Sequence, residues 1–209
     1  MGEIADQIEQ LRLSALDCER CELAETRTNV VFGEGNPETP LVIVGEGPGE
    51  NEDATGRPFV GRAGALLDEV LKENGLSRKH IYITNVIKCR ACIMENGRTR
   101  NRPPSGLEIN SCLPWLEKQL AIIQPLVILC LGAPSANSII HKDFKMTQER
   151  GIVFESRFAR FAMAALHPAY VLRQAGEGYE ATRRQLRDDI ASARRQVIEA
   201  KKAIKLTLF

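Results

Sequence analysis

The sequence lacks an excess of charge of either sign, because 28 lysines and arginines nearly balance 27 aspartates and glutamates and leave a net charge of +1. This balance argues against binding to nucleic acid or membranes through bulk positive charge. No run of about 18 apolar residues is present, so we expect no membrane-spanning helix. The N-terminus also lacks the charged and then apolar segments of a signal peptide, and we expect a cytoplasmic protein.

Short apolar segments alternate with segments of helical periodicity along the 209 residues. The pattern predicts strands over 41–44, 81–84 and 126–131, with one or two more within 152–166. It predicts helices over 3–16, 62–75, about 105–124, 133–140 and 179–203, and irregular loops over 17–40 and 88–104. Because strands alternate with helices, we expect a single three-layer α/β/α domain with a mainly parallel, four-stranded central sheet.

Three polar turns directly follow predicted strands, at 45–49, 85–89 and 167–173. Ligands bind beyond the carboxyl ends of the strands in such sheets, so the turns converge if their strands are neighbours. The glycines of the first turn could cradle a phosphate, but the carboxylates over 46–53 would repel one and no Lys-Ser or Lys-Thr pair follows. A tight turn without a ligand is the alternative, and His167 is likewise open to a structural or a catalytic role.

Six cysteines in a reducing compartment indicate metal ligands, catalytic thiols or core residues before they indicate disulfides. Spacing alone produces two CxxC pairs, Cys18-x2-Cys21 and Cys89-x2-Cys92. Cys112 competes as a fourth ligand, whereas Cys130 lies between two leucines of a predicted strand and is expected to be a buried small hydrophobe. Zinc and iron–sulfur clusters both use four thiolates, so spacing does not separate them.

Four motifs in the sequence are specific only in combination. They are RTNVVFGEGN at 27–36, GEGPGENED with GRPFVGRAG over 45–64, ITNVIKCR at 83–90 and HPAYVLR at 167–173. In this order and spacing the chain resembles the family 4 uracil-DNA glycosylases, the iron–sulfur branch of that superfamily. The resemblance implies an enzyme that flips uracil out of DNA and hydrolyses the N-glycosidic bond, which leaves an abasic site and initiates base excision repair.

The resemblance also implies roles for individual residues in the base pocket. Glu46 matches a carboxylate that positions water and balances the cationic sugar, and His167 matches a histidine that faces uracil O2. Phe59 matches the aromatic residue that stacks on the flipped base, and Asn85 matches the amide that reads the edge of the base. The remaining matches are Gly47, whose backbone contacts uracil, and Glu52, which lies near C5 and excludes the methyl group of thymine.

A [4Fe–4S] cluster is implied as well. Its ligands by resemblance are Cys18, Cys21, Cys89 and Cys112. The segment between Cys89 and Pro103 is longer than in most relatives, so Cys92 stays an alternative to Cys112. The domain over 1–209 would then comprise a ligating N-terminal loop, the glycosylase core and a basic C-terminal helix, and the cluster would mainly stiffen the scaffold.

DNA contacts are expected at two places. Leu172 and Arg173 match a loop that presses into the duplex, and Arg98 and Arg100 in the arginine-rich loop are predicted to contact phosphates, with a solvated loop as the alternative. In a bacterial offshoot of the family, a histidine in this loop becomes covalently attached to the DNA sugar. This chain has no histidine between His80 and His141, so we predict ordinary turnover without trapping.

The tail over 205–209 resembles the short peptide that bacterial repair proteins insert into the sliding clamp, which makes the clamp a hypothetical partner beside uracil-containing DNA. We otherwise expect a monomer. The alternatives to a uracil-DNA glycosylase are a relative with altered base preference or covalent capture, a DNA-binding iron–sulfur module without catalysis, and a redox iron–sulfur protein. The presence of Glu46, Phe59, Asn85 and His167 argues against loss of catalysis. A redox protein would have no use for the uracil-reading residues. DNA contact would be local, because the near-zero charge averages acidic and arginine-rich segments.

Overall fold

The computed structural model describes residues 2–207 and contains one mixed β-sheet and one separate hairpin. The strands of the sheet are β1 (Glu34–Gly35), β2 (Leu41–Gly45), β3 (Tyr82–Asn85), β6 (Val127–Leu131), β7 (Phe154–Glu155) and β8 (Phe161–Ala165), and those of the hairpin are β4 (Cys92–Glu95) and β5 (Arg98–Asn101). The order across the sheet is β1-β3-β2-β6-β8-β7. The four central strands are parallel, and both edge strands are antiparallel to their neighbours.

The predicted class, a three-layer α/β fold with a mainly parallel sheet, is confirmed, but the predicted count of four strands is wrong. The four parallel strands are those expected from the apolar segments, and β1 and β7 extend the sheet to six. Each added strand has only two residues, which is too short to produce a period-two pattern in the sequence. The expected loop over 17–40 therefore contains β1, as well as a short helix.

Helices cover both faces of the sheet. Within residues 2–207 they are α1 (Glu3–Leu16), α2 (Leu23–Thr26), α3 (Glu50–Thr55), α4 (Arg62–Glu73), α5 (Gly106–Ile123), α6 (Ala133–Ile139), α7 (Met146–Glu149), α8 (Pro168–Val171) and α9 (Gly176–Thr207), with one 3₁₀ turn at Arg78–His80. Ser105 and Glu108 form the predicted capping box of α5, since each side chain accepts a hydrogen bond from the other residue's backbone N–H. The long α9 extends beyond both predicted ends.

Alternating side chains of the parallel strands divide the core into two halves. Val42, Val44 and Ile128 face α1, α5 and α6. Leu41 and Ile43 face α4 and α9 on the other side. Burial of both faces explains why the central strands are continuous apolar segments rather than alternating ones. In the described part of the chain, no helix has the length and apolarity needed to cross a bilayer.

The prediction of an irregular loop over 88–104 is wrong, because β4 and β5 form an antiparallel hairpin there. Asn96 and Gly97 connect the strands with φ angles of 51° and 73°. Two positive φ values are typical of a type I′ turn, whose twist matches that of the flanking strands. The Asn-Gly pair is the signal in the sequence that could have identified the hairpin.

Candidate active site

A cavity of about 420 Å³ lies where β2 and β3 end and where the chain enters α8. The six residues that the motifs predict for the base pocket all line it, namely Glu46, Gly47, Glu52, Phe59, Asn85 and His167. Glu46 and Gly47 directly follow β2, Asn85 ends β3, and His167 is the N-cap of α8. The predicted convergence of the three polar turns is therefore present in the structure.

Asn85 is buried beside the glycine that ends the neighbouring strand. It pairs with Gly45 in the sheet, and a Cβ atom on Gly45 would lie 2.4 Å from Asn85 Oδ1 and 2.6 Å from Phe59 Cζ. Only glycine permits this close approach. Asn85 Oδ1 is buried and has no hydrogen-bond partner among the described residues. An unpaired buried acceptor costs about 1–3 kcal/mol, so this atom is available to an N–H group of a ligand.

Phe59 adopts a backbone conformation that a bulky residue rarely takes, with φ at 53°. Arg78 holds this segment by donating to the carbonyl oxygens of Pro58 and Phe59. Gly64 leaves the necessary space, because a Cβ atom there would lie 1.7 Å from the Phe59 carbonyl oxygen. Backbone strain of this kind occurs at ligand sites, and here it places an aromatic ring in the wall of the cavity.

The His167 ring is neutral and its tautomer is defined by one contact. Nδ1 accepts a hydrogen bond from the backbone N–H of Ala169 at 3.1 Å, so the single proton of the neutral ring is on Nε2. Burial lowers the pKa of His167 to about 4, the positive charge of Arg173 acts in the same direction, and Glu52 opposes it. The cavity therefore contains an uncharged N–H donor, with the His167 and Phe59 ring centroids 5.8 Å apart.

Two carboxylates of the cavity have different environments. Burial raises the pKa of Glu46, whose carboxylate has no hydrogen bond or ion pair among the described residues. Glu52 instead accepts hydrogen bonds from the backbone N–H groups of Gly49, Val60 and Gly61 at 3.1, 2.8 and 2.9 Å. Glu52 thus ties together the two loops that form the cavity wall. Its placement next to C5 of the base stays a prediction.

The sequence reasoning missed several residues around the site. Asp53 is buried and accepts hydrogen bonds from the backbone N–H groups of Thr28 and Asn29, which joins the N-terminal loop to α3. Arg102 lines the cavity and is paired with the buried Glu108. A short separation of six residues and opposite charge are the only signals that the sequence offers for this pair.

The residues predicted to contact DNA lie on two surfaces near the cavity. Leu172 is half-buried and packs against the core face of α4 and α9, whereas Arg173 is exposed with its guanidinium 6.0 Å from the ring centroid of Tyr170. Arg98 and Arg100 are exposed on β5, where Arg100 forms an ion pair with Glu95. The last residue of β5, Asn101, lines the cavity. The base of the hairpin therefore adjoins the cavity.

The cysteines separate into three groups. One small enclosed cavity is lined by Cys18, Cys21, Cys89 and Cys112. Cys92 is half-exposed at the start of β4 and is not part of this lining, and Cys130 is buried within β6 as predicted. All six are free thiols. The structure therefore assembles the quartet that includes Cys112, from segments as far apart as the end of α1 and the middle of α5.

Three of the four sulfurs receive hydrogen bonds. Trp115 Nε1 donates to Cys18 Sγ at 3.3 Å, the Lys88 backbone N–H donates to Cys112 Sγ at 3.1 Å, and Arg27 Nη1 lies 3.8 Å from Cys89 Sγ. Such donors stabilise thiolate ligands and tune clusters. Within residues 2–207, no group of three or more His, Cys, Asp or Glu is arranged to hold a single metal ion. Each thiolate of a four-iron cluster binds a different iron, so its ligands stand further apart than those of one ion.

Comparison with known proteins agrees with this geometry. The profile of the Uracil DNA glycosylase superfamily matches residues 32–191, which is most of the chain. The sequence is 45% identical over 157 residues to the type-4 uracil-DNA glycosylase of Thermotoga maritima, which covers 75% of this chain and 78% of that protein. It is 40% identical over 184 residues to the type-4 enzyme of Archaeoglobus fulgidus, which covers 84% of this chain and 89% of that protein. The chain therefore belongs to the uracil DNA glycosylase superfamily and, within it, to the type-4 uracil-DNA glycosylases. The resemblance inferred from the motifs is confirmed.

Proposed function

We propose that this protein is a monofunctional uracil-DNA glycosylase that removes uracil from DNA by hydrolysis and leaves an abasic site for base excision repair. The observation that carries this proposal is one cavity that combines the Phe59 ring, the unpartnered Asn85 Oδ1 and the neutral His167 donor. Because its proposed substrate is DNA, we place the protein inside the cell.

Recognition of uracil follows from the chemistry of this cavity. The base must leave the duplex to enter the pocket, which costs it its stacking and pairing energy. Stacking on an aromatic ring such as Phe59 recovers about 1–3 kcal/mol of this energy. The Asn85 amide accepts from N3–H through Oδ1 and donates to O4 through Nδ2. Cytosine presents an acceptor at N3 and a donor at N4, so the same amide disfavours it. The backbone N–H of Gly47 adds a contact to uracil, and Glu52 closes the side near C5.

Catalysis combines a donor at the leaving base with a carboxylate at the sugar. Cleavage of the bond between C1′ and N1 leaves a cationic sugar and a uracil anion, and the electron pair departs with uracil. His167 Nε2–H donates to O2 and stabilises the anion. The Glu46 carboxylate stabilises the cation, orients a water molecule towards C1′ and accepts its proton as the new C–O bond forms.

The proposed [4Fe–4S] cluster has Cys18, Cys21, Cys89 and Cys112 as its ligands and holds the N-terminal loop against the segment 89–112. When bound, the cluster supplies a rigid crosslink rather than a reaction step. Lys88 supports this reading, because its backbone N–H donates to Cys112 Sγ while its buried Nζ donates to the Asn85 carbonyl oxygen at 2.7 Å. A single residue thus joins the cluster site to the strand end that reads the base.

DNA would be held by Leu172 and Arg173 after β8 and by Arg98 and Arg100 on the hairpin, with the protein acting as a monomer. The sliding-clamp hypothesis concerns the tail over 205–209, of which Leu208 and Phe209 lie outside the described residues. A pull-down with the clamp that is unaffected by deletion of these five residues would contradict it.

The test of the main proposal is incubation with single- and double-stranded oligonucleotides that carry one uracil, followed by alkaline cleavage. We expect strand breaks at uracil and none at thymine or cytosine, with Phe59→Ala strongly impaired. Absence of breaks with either form of DNA overturns the proposal. The same samples, analysed under denaturing conditions, should contain no protein–DNA adduct, because the proposed reaction ends with hydrolysis.

A further inference from the structure

A second cavity, of about 700 Å³, lies next to the base pocket. Glu46, His167 and Ala169 line both cavities, so the groups assigned to the reacting bond form the wall between them. A nucleotide whose base occupies the first cavity has its C1′ atom at this wall. Its deoxyribose and flanking phosphate then extend away from the base, and the second cavity adjoins the same wall.

The second cavity carries two guanidinium groups, those of Arg150 and Arg173. Arg173 has no ion-pair partner among residues 2–207, and its guanidinium lies 6.0 Å from the ring centroid of Tyr170 in the same wall. Thr147 and Gln185 add a hydroxyl and an amide to the lining. Cations with additional neutral donors are the groups that bind phosphodiesters in protein–DNA interfaces.

Arg150 is held in place by an unusual partner. Its Nη1 lies 2.6 Å from Oδ1 of Asp189, whose side chain is only 6% exposed, and Asp189 Oδ2 has no hydrogen-bond partner within the described residues. A buried carboxylate with one unpaired oxygen contributes little to the stability of the folded state. It does fix the guanidinium in one orientation, and the remaining N–H groups of Arg150 have no partner in the described part of the chain.

We propose that the second cavity binds the deoxyribose phosphate of the uracil-bearing strand, and that Arg150, oriented by Asp189, donates hydrogen bonds to a phosphate next to the flipped nucleotide. Arg150 is a positioning residue in this scheme, because it anchors the backbone on one side of the wall while the base is held on the other. Fixing both sides aligns C1′ with Glu46. The proposal rests on the uracil-DNA glycosylase activity proposed above.

The test removes the charge from each partner in turn. DNA carrying 2′-fluoroarabino-uridine resists cleavage because fluorine destabilises the cationic sugar, so it reports binding alone. In this DNA, single phosphates next to the uridine are replaced by uncharged methylphosphonates. We expect the unmodified protein to lose roughly 10-fold in affinity at one of these positions. Arg150→Gln should show a similar loss of affinity for the fluorinated DNA whose phosphates are all unmodified. It should show little further loss when the methylphosphonate is introduced at the sensitive position.

Arg150→Lys provides a second variant that keeps the ion pair with Asp189 and so preserves folding, which thermal unfolding checks. It should bind with intermediate affinity and raise KM more than it lowers kcat. Arg157→Gln is the matched control, because Arg157 pairs with Glu117 near the amino ends of the strands. Additive losses for Arg150→Gln and every methylphosphonate overturn the proposal. Failure of the unmodified protein to excise uracil would instead reject the activity on which it rests.

Discussion

The backbone N–H of Ala169 donates a hydrogen bond to Nδ1 of His167 at 3.1 Å. This contact leaves Nε2 as the protonated nitrogen of the neutral ring, and burial holds the pKa of His167 at about 4. The donor that we assign to uracil O2 is therefore an uncharged N–H group throughout the neutral range.

A pair of amide substitutions tests this assignment. Glutamine places its amide nitrogen near the position of Nε2, whereas asparagine places its amide nitrogen near that of Nδ1. Removing a donor to a developing anion costs roughly 10²–10³-fold in rate, so we expect His167→Asn to lose this much and His167→Gln to retain more. Single-turnover excision of uracil measures both variants. Equal losses would indicate that His167 does not donate through Nε2.

The pH dependence of excision should be governed by Glu46 on the acid side. Burial raises the pKa of Glu46 above its ordinary value of 4.5, while the pKa of His167 is lowered to about 4. On acidification Glu46 is therefore protonated before His167, and its charge is lost as pH falls through its raised pKa.

We expect kcat/KM to decline on the acid side of neutrality, at a pH above 4.5. Glu46→Gln should lower the rate roughly 10²–10⁴-fold and abolish this decline, whereas His167→Asn should retain it. An acid decline that persists unchanged in Glu46→Gln would assign the titration to another group.

The strained position of Phe59 depends on Gly64. Gly64→Ala would place a Cβ atom 1.7 Å from the Phe59 carbonyl oxygen, so the loop must move. We expect a loss of about 1–3 kcal/mol in the free energy of unfolding, together with a raised KM for uracil-containing DNA. Gly106→Ala is the control, because a Cβ atom there meets no atom within 4 Å. An unchanged KM in Gly64→Ala would mean that the ring position does not control binding.

Iron and sulfide analysis distinguishes the two possible fourth ligands. Cys112 lies with Cys18, Cys21 and Cys89 around one enclosed cavity, and Cys92 lies outside its lining. We expect Cys112→Ser to reduce iron and sulfide content and the thermal stability of the protein, and Cys92→Ser to leave all three unchanged. The reverse result would place Cys92 in the cluster and require β4 to rearrange.

The hairpin should contribute to binding through charge. Neutralising one phosphate contact lowers the slope of log affinity against log salt by about 0.9 for duplex DNA, so Arg98→Gln and Arg100→Gln should each reduce it by about this amount. Glu95→Gln is the matched change of opposite sign, because it releases Arg100 from its ion pair, and it should tighten binding. If the slope changes in none of the three variants, the hairpin is exposed to solvent and does not contact DNA phosphates.

Local patterns predicted much of the fold. The apolar segment that becomes β2, the Ser105–Glu108 capping box and the helix closed by Gly75 all follow from residues close together in the chain. The edge strands escaped prediction because two residues have no periodicity. The hairpin was missed although Asn96 and Gly97 mark its turn, since its arginines suggested a loop.

The features of the candidate site also divide into those that the sequence predicted and those that only the structure showed. The sequence by itself determined the family, the types of residue that line the candidate site and the order of the four parallel strands along the chain, because these depend on motifs and on short-range hydrophobic patterning. Only the tertiary structure showed the tautomer of His167, the position of Cys112 in one cavity with Cys18, Cys21 and Cys89, and the pairing of Arg150 with Asp189. Each of these depends on which atoms from different segments come within a few ångströms, and that is set by packing around the sheet rather than by spacing in the chain.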